Sequence, residues 1–189
     1  MAQTASVNDL VVEIIDKEVA LLRDAVKAKL MAAQNPEAFA ITRWLTHVVH
    51  GEEFLKSYLD DLAAAKEKGR NLIADKFARL SNTLPPLTDN PRVDAIAQAE
   101  ATWMRQAAER YPHAISAAPE EEFRRFVACE LETLSDRSLD LYFGEVQAAL
   151  VAGRNFVIVR HSVLCRRMGT TLDTKEAELA AAEKNAGHA

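Results

Sequence analysis

The sequence predicts an all-α fold: an internally duplicated, pseudo-twofold helical bundle of about seven or eight helices. Three observations predict it. Gly and Pro number only six each in 189 residues, while Ala, Leu, Glu and Lys are abundant, a composition that favours helix. Apolar residues recur at i, i+3 and i+4 along most of the chain, the rhythm of amphipathic helices. Finally, Gly-Arg-Asn occurs twice, at Gly69-Arg70-Asn71 and Gly153-Arg154-Asn155, each time after such a run. At this shift of 84, the seventeen positions from Leu55 to Asn71 contain seven identities with their counterparts. Biased helical composition supplies roughly one or two.

The elements follow in order. Val7, Leu10, Val11, Ile14, Ile15, Leu22 and Ala25 mark a first helix to about Met31. Pro36 suits a first helical turn, and Ile41, Trp44, Leu45, Val48 and Val49 mark the buried side of a second helix ending near His50. Gly51 interrupts the pattern, and Glu52 and Glu53 suit a new first turn. A third helix to about Lys68 buries Leu55, Tyr58, Leu59 and Leu62. Gly69 is placed as a left-handed C-terminal stop and Asn71 as the N-cap of a short fourth helix.

"NTLPPLTDNP" is the linker, rich in turn formers. Beyond it the pattern replays. Val93, Ile96, Ala97, Trp103, Met104 and Ala107 mark one helix, and Phe123, Phe126, Val127, Leu131 and Leu134 the next. Ser135 is an N-cap, followed by Leu139, Tyr142, Phe143 and Val146, then Gly153. The chain thus reads as one domain, residues 1–189: repeat one about 7–81, linker 82–91, repeat two about 92–168, and an exposed tail 169–189 whose weakly amphipathic helix frays at its end.

A net charge of −5 excludes a general nucleic-acid binder, which needs a basic face. No stretch approaches eighteen uninterrupted apolar residues, so no membrane span is expected, and "MAQTASVNDL" has no secretory pattern. Cys129 and Cys165 form no metal or disulfide spacing, so a cytoplasmic, reduced protein is expected.

Two glutamates break apolar stripes. Glu18 lies between Ile14 and Leu22, and Glu100 between Ile96 and Trp103, at corresponding places in the two halves. Glu130 lies between Val127 and Leu134, with Thr46, beside His47, as its counterpart. A buried carboxylate needs a counter-charge, hydrogen bonds or a metal. One reading makes Glu18, Glu100, Glu130 and His47 ligands of iron or manganese in a helical bundle. In a second, the glutamates meet Arg70 and Arg154 or sit at the edge of the core with their tips in water, and in a third two of them share a proton. The Glu-x-x-His pairs of bundle di-metal sites are missing.

Arg70 and Arg154, with Asn71 and Asn155, form candidate anion-binding corners at helix N-termini, or else join the halves by salt bridges. His47 and His50, three apart, read as a surface pair with a spacing that also suits a metal. "RHSVLCRRM" reads as a solvated basic helix face. There is no phosphate-cradling glycine loop and no nucleophile elbow.

"SYLDDLAAAKEKGRNLIADKFARL", the "LPPL" linker, "ATWMRQAAERYPHA" and "LYFGEVQAALVAGRNF" together resemble a bacterial family, domain of unknown function 4125, over about Leu10 to Leu164. The resemblance implies a small, helical, internally repeated protein and no established activity. Gly51 departs from the serine usual there, a role Ser135 keeps, and Val19 stands where an aromatic is frequent.

The expected function is a non-catalytic accessory protein without a cofactor, binding a small ligand or a protein partner at the groove between repeats. A carboxylate-based metalloprotein, oxidoreductase or metal store, is the alternative. Assembly as a homodimer is a third reading.

Overall fold

In the computed structural model, residues 6–186 are described, and they form nine α-helices and no strand. The expectations for residues 1–5 and 187–189, a leader-free start and a frayed end, lie outside the described residues. The helices are α1 (Val7–Lys27), α2 (Pro36–His47), α3 (Glu52–Glu67), α4 (Leu72–Leu80), α5 (Arg92–Arg110), α6 (Glu120–Leu131), α7 (Asp136–Val151), α8 (Phe156–Arg167) and α9 (Leu172–Ala186). The count exceeds the expected seven or eight because the tail contributes α9.

Local chemistry sets the boundaries. Ser6 and Asp9 form a capping box at the start of α1. The Asn35 side chain accepts the N–H groups of Glu37 and Ala38, with Pro36 in the first turn of α2. Asn71 accepts from Ile73 and Ala74, Ser135 from Ser138, and Asn155 from Ile158.

Gly69 (φ 66°) and Gly153 (φ 64°) are left-handed. Behind each, the following arginine donates its N–H back to the helix, Arg70 to Ala65 O and Arg154 to Ala149 O, both at 2.8 Å. These are Schellman stops, and the space beside both glycines is open. Val at either position therefore pays only for backbone strain. Gly69→Val and Gly153→Val should each lower the unfolding free energy by about 1 kcal/mol or more, as read by urea denaturation; no loss in either variant would remove the left-handed stop from the account.

α1 packs on α2, α3 and α4, and α5 packs on α6, α7 and α8. α3 lies against α7 where the two sets meet, joined at the centre by the Ser57–Ser138 hydroxyl pair at 2.8 Å. The two sets also interlock: α4 packs on α6, and α8 packs on α2. α9 lies on α8. One contiguous apolar core runs through both, with Ile14, Leu55, Ile96 and Leu139 all fully buried.

Two carboxylates seal the junction. Asp61 on α3 accepts the N–H of Ser135, which starts α7 (3.1 Å), and Glu145 on α7 accepts the N–H of Gly51, which starts α3 (2.8 Å). Gly51 has no side chain to cap α3, and a Cβ there would lie only 3.2 Å from Oε1 of Glu145. The glycine thus makes room for a cap supplied from across the junction.

Two expectations about faces are corrected. On α2 the inward residues are Arg43 and His47, while Ile41 is 56% exposed; the helix turns its polar pair inward to meet charge on α1. α9 is anchored rather than free: Leu172 is buried, and Glu176 accepts the backbone N–H groups of His113 and Ala114. Among the described residues no single helix is long and apolar enough to cross a membrane; α7 and α8 reach that length only as a pair bent by 87°.

Candidate functional site

Glu18 sits one turn from both Ile14 and Leu22, so the apolar face that buries α1 buries its carboxylate as well. Arg43 and His47, one turn apart on α2, approach it from the side. The Arg43 guanidinium forks onto Glu18, Nε to Oε2 at 2.9 Å and Nη2 to Oε1 at 2.6 Å, while its Nη1 reaches Oε1 of Glu130 at 2.8 Å. Tyr58 on α3 donates its hydroxyl to Glu18 Oε1 at 2.7 Å. His47 Nε2 lies 3.2 Å from both Glu18 oxygens. Lys76 on α4 closes the chain on Glu130 and lies over the Phe126 ring, 3.6 Å from its centre.

Glu18 and Glu130 thus meet Arg43 and Lys76 inside the protein, with His47 beside Glu18. Burial alone would raise the Glu18 carboxyl, but Arg43 and His47 outweigh it and hold it down at about 2. Glu130 is likewise lowered despite burial, by Arg43 and Lys76. Burial and the Glu18 charge push the Tyr58 hydroxyl well above its ordinary value, so it stays a donor.

A second cluster uses the other set of helices. Glu100 on α5 receives a fork from Arg160 on α8, at 2.6 and 2.9 Å, and the Tyr142 hydroxyl at 2.7 Å. Arg160 overcomes the effect of burial and keeps Glu100 ionised below its ordinary pKa. Beside it, His50 places Nδ1 2.6 Å from Oε2 of Glu145. Phe54 and Tyr142 pack on the His50 ring at 4.3 and 4.4 Å between centres, and the Tyr58 ring stacks on His47 at 5.3 Å.

Between the two clusters lies a cavity of about 200 Å³. His47, Tyr58 and Glu130 contribute from one cluster, His50, Glu100, Tyr142 and Arg160 from the other. Leu45, Phe54, Met104, Phe123, Val127 and Leu134 supply apolar wall, and Phe126, 40% exposed, stands where it meets the surface. Three of the polar wall residues carry a buried atom with no partner in the protein: Nδ1 of His47, Nε2 of His50 and Nε of Arg160.

The expected residues divide accordingly. Glu18, Glu130 and His47 come together, but around Arg43; Glu100 stands in the other cluster with Arg160. Among the described residues no three His, Cys, Asp or Glu side chains converge as metal ligands. The counter-charges of the glutamates are Arg43, Lys76 and Arg160, not Arg70 and Arg154. Arg70 pairs with Asp75 on its own side of the junction, at 2.8 Å and half-exposed, and Arg154 lies on the surface near the Phe156 ring. Asn71 and Asn155 cap their helices and donate side-chain N–H groups to Leu21 O and Trp103 O. All four stand away from the cavity wall.

His47 and His50 are buried rather than superficial, and Arg160 and His161 leave the supposed solvated face to join the wall. Arg43 carried no usable signal, because its partner is 25 residues away. Lys76 and Arg160 did carry one: they share a position at the shift of 84, each a cation five residues beyond its Asn cap.

A family model described as "Protein of unknown function (DUF4125)" matches residues 8–178. The chain belongs to the DUF4125 family. That match takes in α1 from its second residue, all of α2 to α8, the start of α9 and every residue of both clusters. No curated protein matches the chain, and no solved structure does.

Proposed function

We propose that this DUF4125 protein is a non-catalytic, small-ligand-binding accessory protein, and that its site is the cavity between the two charged clusters. One observation carries the reading: a cavity lies between the two charged clusters, its largely apolar walls from Leu45, Met104, Phe123, Val127 and Leu134 framing polar side chains contributed by both. A concave, mostly apolar site with a few convergent polar groups is the usual form of a small-ligand pocket. The carboxylates in the wall are each met by a cation of the protein, Glu130 by Arg43 and Lys76 and Glu100 by Arg160, and the rest of the wall is largely apolar, so the ligand that fits is neutral. It is also compact, since about 200 Å³ lies below the usual range for ligand pockets.

The metal alternative gains no support from the geometry, because the Arg43 guanidinium occupies the place between Glu18 and Glu130 where a shared cation would sit. The same reading takes the protein as bacterial and cytoplasmic, in keeping with two free, buried cysteines, Cys129 and Cys165.

We also propose that the halves are diverged copies. Supporting this are the matched bonds Tyr58–Glu18 and Tyr142–Glu100, the matched Asn71 and Asn155 contacts, and the reciprocal Asp61 and Glu145 caps. Equal losses in Gly69→Val and Gly153→Val are expected on this view, and unequal ones count against it.

To test the site, amide chemical shifts are followed while toluene, anisole and phenol are added separately to the full chain. At least one should perturb residues around the cavity, and Val127→Trp, which fills it, should abolish the effect while the chain stays folded. If none of the three perturbs the cavity residues, the reading fails.

A further inference from the structure

α1, α2 and the end of α8 frame an open groove on the surface: Val12 and Asp16 come from α1, Ile41 and Trp44 from α2, Arg167 and Met168 from the last turn and cap of α8. It shares no residue with the cavity wall. α2 packs on both α1 and α8, so it runs down the middle of the groove. Val12, Ile41 and Met168 are 50%, 56% and 60% exposed, three of the eight large apolar side chains left in water among the described residues. Scattered singly they would need no explanation; gathered in one groove they mark an interaction surface. Trp, Met and Arg are also the types enriched where proteins meet.

The groove carries one charge of each sign, on opposite sides of α2. Arg167 lies over the Trp44 ring, 5.0 Å from its centre, and Asp16 is exposed one turn from Val12. Among the described residues neither forms an ion pair within the chain, whereas the neighbouring Glu13 and Lys17 pair with each other at 3.3 Å. An acidic segment laid in the groove would meet Asp16, and a basic one would meet Arg167. The partner that fits brings a base to Asp16 and an acid to Arg167, with an apolar strip between them. The same groove, turned over, is such a partner.

We propose that this groove is the interface of a homodimer, closed by a twofold axis that runs along α2 within the face. Such an axis lays α1 of each chain over the end of α8 of the other. Ile41 then meets its own copy at the centre, and Asp16 pairs with Arg167 of the partner subunit, once on each side. Both charges that the single chain leaves unpaired are satisfied together, and the three exposed apolar side chains leave water.

Sedimentation of the full, untagged chain at rising concentration should show the mass move from one chain toward two. Ile41→Glu should hold it at one chain with unchanged helix content by circular dichroism, because that side chain already stands in water. Asp16→Arg and Arg167→Asp should each weaken the dimer at least about tenfold, since each sets like charges together at two places. Mixed with one another, the two variants should dimerise again, because every facing pair then holds one acid and one base. A wild-type chain of single mass at every concentration overturns the proposal, and so does a dimer that survives Ile41→Glu. Charge variants that dimerise as well alone as the wild type, or that fail to dimerise when mixed, overturn it too.

Discussion

Arg43→Leu should lower the unfolding free energy by about 3–5 kcal/mol, the loss expected when one member of a buried ion network is removed. Glu18 is fully buried, and Arg43 supplies both prongs of its fork as well as the link to Glu130. Without the guanidinium, Glu18 keeps only the Tyr58 hydroxyl and His47. Adding Glu18→Gln should recover part of the loss, because a neutral amide costs less to bury than an orphaned carboxylate. Arg70→Leu is the control: its half-exposed pair with Asp75 should be worth less than about 1 kcal/mol. Denaturation of the three variants side by side decides the matter, and an Arg43→Leu loss as small as that of Arg70→Leu would mean the inner network is not held by Arg43.

Acid should unfold the protein in two stages. Burial lowers the His50 pKa below its usual 6.5, so the unfolded chain takes up this proton first. His50 therefore contributes stability that is present above pH 6.5 and lost as pH falls through its folded value. The larger stage belongs to the carboxylates. Glu18 is held at about 2 against an ordinary 4.5, which corresponds to about 3 kcal/mol present above pH 4.5 and lost as pH falls toward 2. Glu100 and Glu130 are shifted in the same direction and add to the same window. Unfolding free energies measured from pH 8 to pH 2 should fall slightly below 6.5 and steeply below 4.5; a flat profile from 4.5 to 3 would contradict the buried, ionised state of these glutamates.

The features legible in sequence were those set by neighbours along the chain. A left-handed stop needs only Gly69 and the helix behind it, and an N-cap needs only Asn71 and the turn ahead. Glu18 and Glu100 were conspicuous because each interrupts an apolar stripe on its own helix. Their partners were not, since a counter-ion is chosen by proximity in space. On α2 the apolar residues Ile41, Trp44 and Leu45 outvote Arg43 and His47 in any pattern of hydropathy, yet the charge of Glu18 across the interface decides which side turns inward. The cavity was hidden for a related reason. Its walls come from five or more helices on both sides of the linker, and Phe126 and Val127 look like ordinary core until their opposite surfaces are known. His50 and Glu145, 95 residues apart, meet only because Gly51 needs a cap from across the junction.

The interlocking of the helices has a consequence for heredity. Glu130 lies after the linker, and both of its cations, Arg43 and Lys76, lie before it. A substitution arising in one half is therefore accepted or rejected by residues of the other. Drift on the two sides of the linker should be correlated, and a half taken from a relative should fit only if it brings matching charges. Whatever their origin, residues 7–81 and 92–168 are bound to one another's side chains and should change together.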